Sequence, residues 1–197
     1  MSESPVFFGD GADPQLTVAS ERARQTFKFF WRELSWEYRR IVPGLDMYAV
    51  KVGFPVKKRF LRSAPESEVM WISDIDFNGH TISGTLLNKP QWVKGLREGS
   101  PVTISTHELV DWMYAINGKV YGGYTVQALR SAMSPAERAQ HDAAWGMDFG
   151  DPGHVLLAPR PVREDDGSIG TDDTRPVTEP AKLEAAEHPM SVNMKQS

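Results

Sequence analysis

The stretch VMWISDIDFNGHTISGTLL (residues 69–87) decides how the chain folds, because two runs rich in β-branched and apolar residues flank a single Asn-Gly pair. Residues 69–76 and 81–87 are predicted strands, and Asn78-Gly79 is the predicted hairpin turn, since both residue types tolerate positive φ. The pattern returns in DWMYAINGKVYGG (111–123), where residues 111–116 and 119–121 flank Asn117-Gly118. Between these hairpins Pro101–Ser105 reads as a strand. Upstream, residues 47–54 alternate, with Tyr48, Val50, Val52 and Phe54 on one face. Short strands joined by tight turns predict a strongly bent antiparallel sheet or partial barrel of about six strands.

Helices are predicted on both sides of this sheet. Asp13-Pro14 reads as an N-cap followed by a first-turn proline. Ala23, Phe27, Phe30, Trp31, Leu34 and Tyr38 then recur at helical spacing. Trp92, Val93 and Leu96 suggest a short helical turn after Pro90. Near the other end a helix is predicted over about 125–133. A second follows Ser134-Pro135-Ala136-Glu137, a capping box with proline in the first turn, and stops at Gly146. The fold class is therefore α+β, with an N-terminal helix packed on the sheet and two C-terminal helices closing it. Residues 1–13 read as a flexible N-terminus, 14–150 as a single domain, and 151–197 as a Pro/Asp/Glu-rich, largely disordered tail.

Composition narrows the function classes. With 40% hydrophobic and 24% charged residues in 197, the chain has the balance of a globular protein. It has no cysteine, so neither a disulfide nor a thiolate metal site is available, which fits a reducing cytoplasm. No basic start with an apolar run suggests a leader, and no apolar run reaches the length of a membrane helix. The net charge of −4 argues against a general nucleic-acid binder.

Four constellations could carry chemistry. Asp74 and Asp76, two apart on a strand, place both carboxylates on one face near His80, as a cation site or an acid–base pair would need. Solvent-facing carboxylates that keep a strand soluble explain the same pattern. His107, Glu108 and Asp111 suggest a base and its orienting acid, with Ser105 or Thr106 nearby, but no glycine-flanked nucleophile turn surrounds them. Gly118-Lys119 before Gly122-Gly123 has the reverse order of a phosphate-binding loop. Trp71, Trp92, Trp112, Tyr114, Tyr121 and Tyr124, beside the basic Lys57, Lys58, Arg59 and Arg62, could stack nucleic-acid bases. Core packing is the stronger reading for most of these aromatics, since large aromatics are mostly buried. Trp112 and Tyr114 share a strand face that is either exposed or meets the helix bearing Phe27 and Trp31.

At Met70-Trp71-Ile72, Gly84-Thr85-Leu86-Leu87-Asn88-Lys89-Pro90, Gly99, Asp111-Trp112-Met113-Tyr114, Gly118, Gly122-Gly123-Tyr124-Thr125 and Leu129-Arg130, the chain resembles the bacterial domain of unknown function 2314, the YegJ-like family. The resemblance continues through Met133-Ser134-Pro135 and Glu137-Arg138 and covers roughly 16–146. The 57–62 loop and the acidic tail depart from it. Relatives of this broad kind occur among polymorphic-toxin and secretion-system gene clusters, type VI secretion included. The resemblance thus implies a non-enzymatic, cytoplasmic immunity protein that neutralises a cognate toxin or effector by direct contact, without metal or cofactor. Asp74, Asp76, Asn78, Glu108, Asp111, Trp112 and Tyr114 are the expected partner-binding residues. The alternatives are a nucleic-acid-binding module, or a hydrolase or metal-dependent enzyme using Asp74, Asp76, His80, His107 and Asp111.

Overall fold

The computed structural model describes residues 13–56, 64–163 and 169–176. Helix α1 (Pro14–Glu37) starts where expected: the Gln15 amide donates to the Asp13 carboxylate at 2.8 Å, and Pro14 occupies the first turn. Its apolar stripe of Ala19, Ala23, Phe27, Phe30 and Leu34 is buried against the sheet.

The sheet comprises β1 (Met47–Pro55), β2 (Ser67–Phe77), β3 (Thr81–Leu86), β4 (Pro101–Ser105), β5 (Leu109–Ile116) and β6 (Lys119–Gly122). Its order is β4-β3-β2-β1-β5-β6 and every pairing is antiparallel, so it is an open α+β sheet. Connectivity alone shows that it bends strongly. In a flat sheet β4 and β5 would lie four strand spacings apart, about 19 Å. The chain from Ser105 to Leu109 can span at most about 14 Å. Two bulges supply the bend, one on β2 between Ser73 and Asp76 and one where β5 meets β1 near Lys51. Asp74 occupies the first with φ 51°, a left-handed value that aspartate adopts more readily than most residues.

The two Asn-Gly turns differ. At Asn117-Gly118 both residues have positive φ, 49° and 75°, as the tight hairpin turn requires. At Asn78-Gly79 only the glycine does; Asn78 instead accepts the His80 and Thr81 amides on its side-chain oxygen at 3.0 and 2.9 Å. The short helix expected around Trp92 is absent. The amides of Gln91, Trp92 and Val93 point at the buried Glu68 carboxylate, 2.6–2.9 Å away, and the segment is held as turns.

Trp112 and Tyr114 face α1: both are fully buried, their rings lie 6.0 and 6.4 Å from Phe30, and the Trp112 indole N–H donates to Ala23 O at 2.9 Å. Helices α2 (Tyr124–Ser131) and α3 (Pro135–Trp145) follow, the latter with both capping-box bonds between Ser134 and Glu137. On the opposite face of β5, Met113, Ala115, Val120 and Phe149 form a second apolar cluster.

Residues after 150 correct the tail expectation in part. Strands β7 (His154–Arg163) and β8 (Ile169–Pro176) pair as a hairpin. Val155, Leu157 and Ala158 are buried in the main body, and the Tyr114 hydroxyl donates to Leu157 O at 3.1 Å. Val155 and Leu157 alternate into the core as in any half-buried strand, and the surrounding Pro, Asp and Thr residues obscured that short run. Residues 1–12 and 177–197, with the flexible-end expectations attached to them, lie outside the described residues, as does the basic stretch 57–62.

Candidate partner-binding surface

Beyond Leu34, the end of α1 and the turn after it carry large apolar side chains that are poorly covered. Trp36 and Tyr38 are about half exposed, while Ile41 is 99% and Val42 75% exposed, on the turn that leads to Pro43-Gly44. That turn is held from within. Glu37 accepts the Arg40 guanidinium at 2.7 Å and the Gly44 amide at 3.0 Å, closing a loop with Ile41 and Val42 in its middle. Burial pushes the Glu37 carboxyl up, but Arg40 and the Gly44 and Leu45 amides outweigh it and hold the carboxyl below its usual value. Arg32 stacks over the Trp36 ring at 5.7 Å, so the apolar surface has a cationic shoulder.

Tyr38 ties this turn to the acidic bulge of β2. Its hydroxyl donates to Ile75 O, and its ring meets Tyr48 edge-on at 6.4 Å. Partial burial raises the Tyr38 phenol well above its ordinary value, and Tyr48 and the charges of Asp76 and Asp74 push it further in the same direction. Asp74 and Asp76 are both exposed. They flank the buried Ile75, and the left-handed Asp74 shifts the alternation so that Ile72 and Ile75, three apart, are both buried. The Asp76 carboxylate accepts the Phe77 amide at 2.9 Å. The two exposed carboxylates thus lie near the half-exposed Tyr38.

The other predicted site residues divide sharply. Asn78 and Glu108 are exposed, as are His80 and His107. Asp111, Trp112 and Tyr114 are fully buried, which removes them from any partner surface and removes Trp112 and Tyr114 from any base-stacking platform. Asp111 has an internal task. It accepts the Trp112, Tyr124 and Thr125 amides at 2.8, 3.0 and 2.7 Å and the Thr125 hydroxyl at 2.6 Å, fastening the start of α2 to β5. Burial drives its carboxyl upward against the opposing pull of Thr125, Lys51 and the Trp112 amide. Lys51 lies beside it, donating to Thr125 Oγ1 at 3.3 Å over the Trp71 ring, and burial holds its amine below the ordinary lysine value.

Of the five residues of the enzyme alternative, Asp111 is sealed inside, while Asp74, Asp76, His80 and His107 face solvent. No group of three or more metal-ligating side chains occurs among the described residues. Arg130 is a second buried charge, forked onto Asp142 at 2.9 and 2.8 Å, with its other nitrogen donating to Gln127 and to Gly150 O. It joins α2, α3 and the chain after α3, a structural role. Sequence reasoning missed Trp36, Ile41 and Val42. The available signal was two β-branched residues between Arg40 and Pro43, outside any helical or strand period.

Comparison with known proteins places this geometry in a family. The model for "Uncharacterized protein conserved in bacteria (DUF2314)" matches residues 13–149. Over 160 residues the chain is 45% identical to "Putative ankyrin repeat protein NMB1133/NMB1171" of Neisseria meningitidis serogroup B, covering 80% of this chain and 61% of that protein. Over 63 residues it is 32% identical to "Uncharacterized protein YegJ" of Escherichia coli K12, covering 32% of this chain and 41% of that one. It thus spans less than two thirds of the length of either relative. No solved structure matches the chain. No helix among the described residues is long and apolar enough to cross a membrane.

Proposed function

The chain belongs to the DUF2314 family, and on that premise we propose that it is a non-enzymatic protein-binding domain, concretely an immunity protein that neutralises a cognate bacterial toxin or effector by direct contact. The observation that carries the reading is the run of exposed large apolar residues Trp36, Tyr38, Ile41 and Val42 at and after the end of α1, with the exposed Asp74 and Asp76 carboxylates near Tyr38. Exposed apolar side chains grouped on a surface mark interaction sites, and Trp and Tyr are enriched among residues that dominate binding energy. The flanking carboxylates favour a basic partner face and would speed encounter with it. A longer relative with an ankyrin-repeat name fits a setting of protein contacts, because stacked repeats build extended binding surfaces.

The test is co-expression with the product of the adjacent gene. The proposal expects a 1:1 complex that survives purification, and rescue of growth when that product is toxic. Charge reversal in the D74K/D76K variant should weaken the complex at low salt far more than at high salt. Absence of both complex and rescue would end the immunity reading; a complex indifferent to D74K/D76K would remove the acidic bulge from it.

A further inference from the structure

An asparagine followed by a glycine carries a reaction of its own. The glycine nitrogen, its proton passed to water, attacks the carbonyl carbon of the asparagine side chain. The bond to Nδ2 breaks, ammonia leaves after taking a proton back, and a succinimide ring closes. Water then opens the ring at either carbonyl, giving aspartate or isoaspartate. Glycine permits the attack because no Cβ shields its nitrogen. The chain has two Asn-Gly pairs, Asn78-Gly79 and Asn117-Gly118, and both asparagines are exposed. Space does not separate them either, since a Cβ at Gly79 or at Gly118 would meet nothing within 4 Å.

The two pairs differ at the reacting atoms. At Asn117-Gly118 the attacking nitrogen is engaged: the Gly118 amide donates to the Asp46 carboxylate at 2.6 Å, and Gly118 O accepts the Asp148 amide at 2.8 Å. Loss of that amide proton would set a nitrogen anion against a carboxylate, which like charge opposes. At Asn78-Gly79 no acceptor among the described residues takes the Gly79 amide. The electrophile is prepared as well. Asn78 Oδ1 accepts the His80 amide at 3.0 Å and the Thr81 amide at 2.9 Å, and two N–H donors identify that atom as the oxygen. Attack on the carbonyl carbon drives negative charge onto this oxygen, where both amides already point, so the pair forms an oxyanion hole for the tetrahedral intermediate. Contacts to β4 hold the donors in place, because His80 O accepts the Thr106 amide at 3.1 Å and Thr81 pairs with Ser105.

We propose that Asn78 is a self-modifying site, converted by the Gly79 amide and solvent water to aspartate and isoaspartate, while Asp46 protects Asn117 from the same reaction. The fold slows the reaction where it pins the glycine nitrogen and speeds it where it polarises the carbonyl. The aspartate product keeps an oxygen for the His80 and Thr81 amides, so its turn survives. The isoaspartate product adds a methylene to the main chain between Phe77 and Gly79. Either product places a new carboxylate two residues from the exposed Asp76, so this end of β2 grows more acidic as the molecule ages. The reaction needs no partner and stands independently of the immunity reading.

The experiment incubates the full chain in heavy-oxygen water at mildly alkaline pH, once folded and once in guanidinium chloride. Peptide mass spectrometry follows both asparagines, and isoaspartyl methyltransferase counts the isoaspartate. In the folded chain Asn78 should convert at least tenfold faster than Asn117, with one solvent oxygen in each product. In the denatured chain the two rates should agree within about threefold, because neither the oxyanion hole nor the Asp46 contact survives. Folded Asn78 should also be no slower than denatured Asn78. D46A removes the acceptor of the Gly118 amide at an exposed position, so it should speed Asn117 at least fivefold in the folded chain and leave Asn78 unchanged. Should D46A melt early, the folded and denatured wild-type rates decide alone. A folded ratio below tenfold, an Asn78 that converts more slowly folded than denatured, or a folded D46A whose Asn117 keeps its wild-type rate overturns the proposal.

Discussion

Replacing Asp111 with alanine should be among the most damaging single changes to the fold, although the residue lies within the stretch expected to face a partner. Its carboxylate accepts four hydrogen bonds, three from backbone amides and one from the Thr125 hydroxyl. Removal leaves three amides short of a partner at a fully buried site. At about 1–3 kcal/mol for each unsatisfied buried group, and with some relief as water or Thr125 adjusts, the loss is about 3–5 kcal/mol. Removing a buried charge gives something back, since burial disfavours the ionised form. That gain is offset because Lys51 loses its neighbouring anion. A chain of this size melts about 2–4 °C lower per kcal/mol, so D111A should fall by about 6–20 °C. D111N keeps one oxygen for the Trp112 and Tyr124 amides, loses the Thr125 amide, and should cost about 2 kcal/mol. Thermal unfolding by circular dichroism measures both. A D111A melting point within 2 °C of wild type would refute the clamp, and so would D111N falling as far as D111A.

Three further outcomes follow from named contacts. Glu37 has a depressed carboxyl, so its contribution to stability is present above its ordinary value of 4.5 and is lost as pH falls through the lower folded value; the Gly44 amide resonance should shift in that acid range, and E37Q should abolish the shift. Gly122 has φ 76°, and a Cβ there would lie 2.3 Å from Trp112 O, so G122A should cost about 2–5 kcal/mol in chemical denaturation. Ile41 and Val42 touch solvent almost entirely, so I41D/V42D should melt within about 2 °C of wild type while becoming more soluble, as scanning calorimetry and precipitation by ammonium sulfate would show.

The fold was largely legible because its signals are local. Asn-Gly pairs, the Asp13-Pro14 cap and the Ser134–Glu137 capping box each act within four residues, and each appears where the sequence puts it. Strand faces were legible only where the period holds. Trp112 and Tyr114 share a face as alternation requires, but which face meets α1 depends on the sheet's bend, and that bend comes from bulges that no residue type announces. Asp74 illustrates the difficulty, since its left-handed backbone is a product of register across β3. Of the expected partner residues, Asp74, Asp76, Asn78 and Glu108 are exposed and Asp111, Trp112 and Tyr114 are not. A buried carboxylate and an exposed one look alike in sequence. What distinguishes Asp111 is the turn after β6, which brings the start of α2 back over β5 and aims two of its amides at one side chain. The apex at Ile41 was illegible for the opposite reason: it follows no helical or strand period.

The most direct test of the partner surface is calorimetric titration of the adjacent gene's product with wild type, I41D/V42D and D111N. Binding through the apex predicts 1:1 stoichiometry with wild type, at least a hundredfold weaker binding by I41D/V42D, and wild-type affinity for folded D111N. Equal affinity of I41D/V42D and wild type would contradict it.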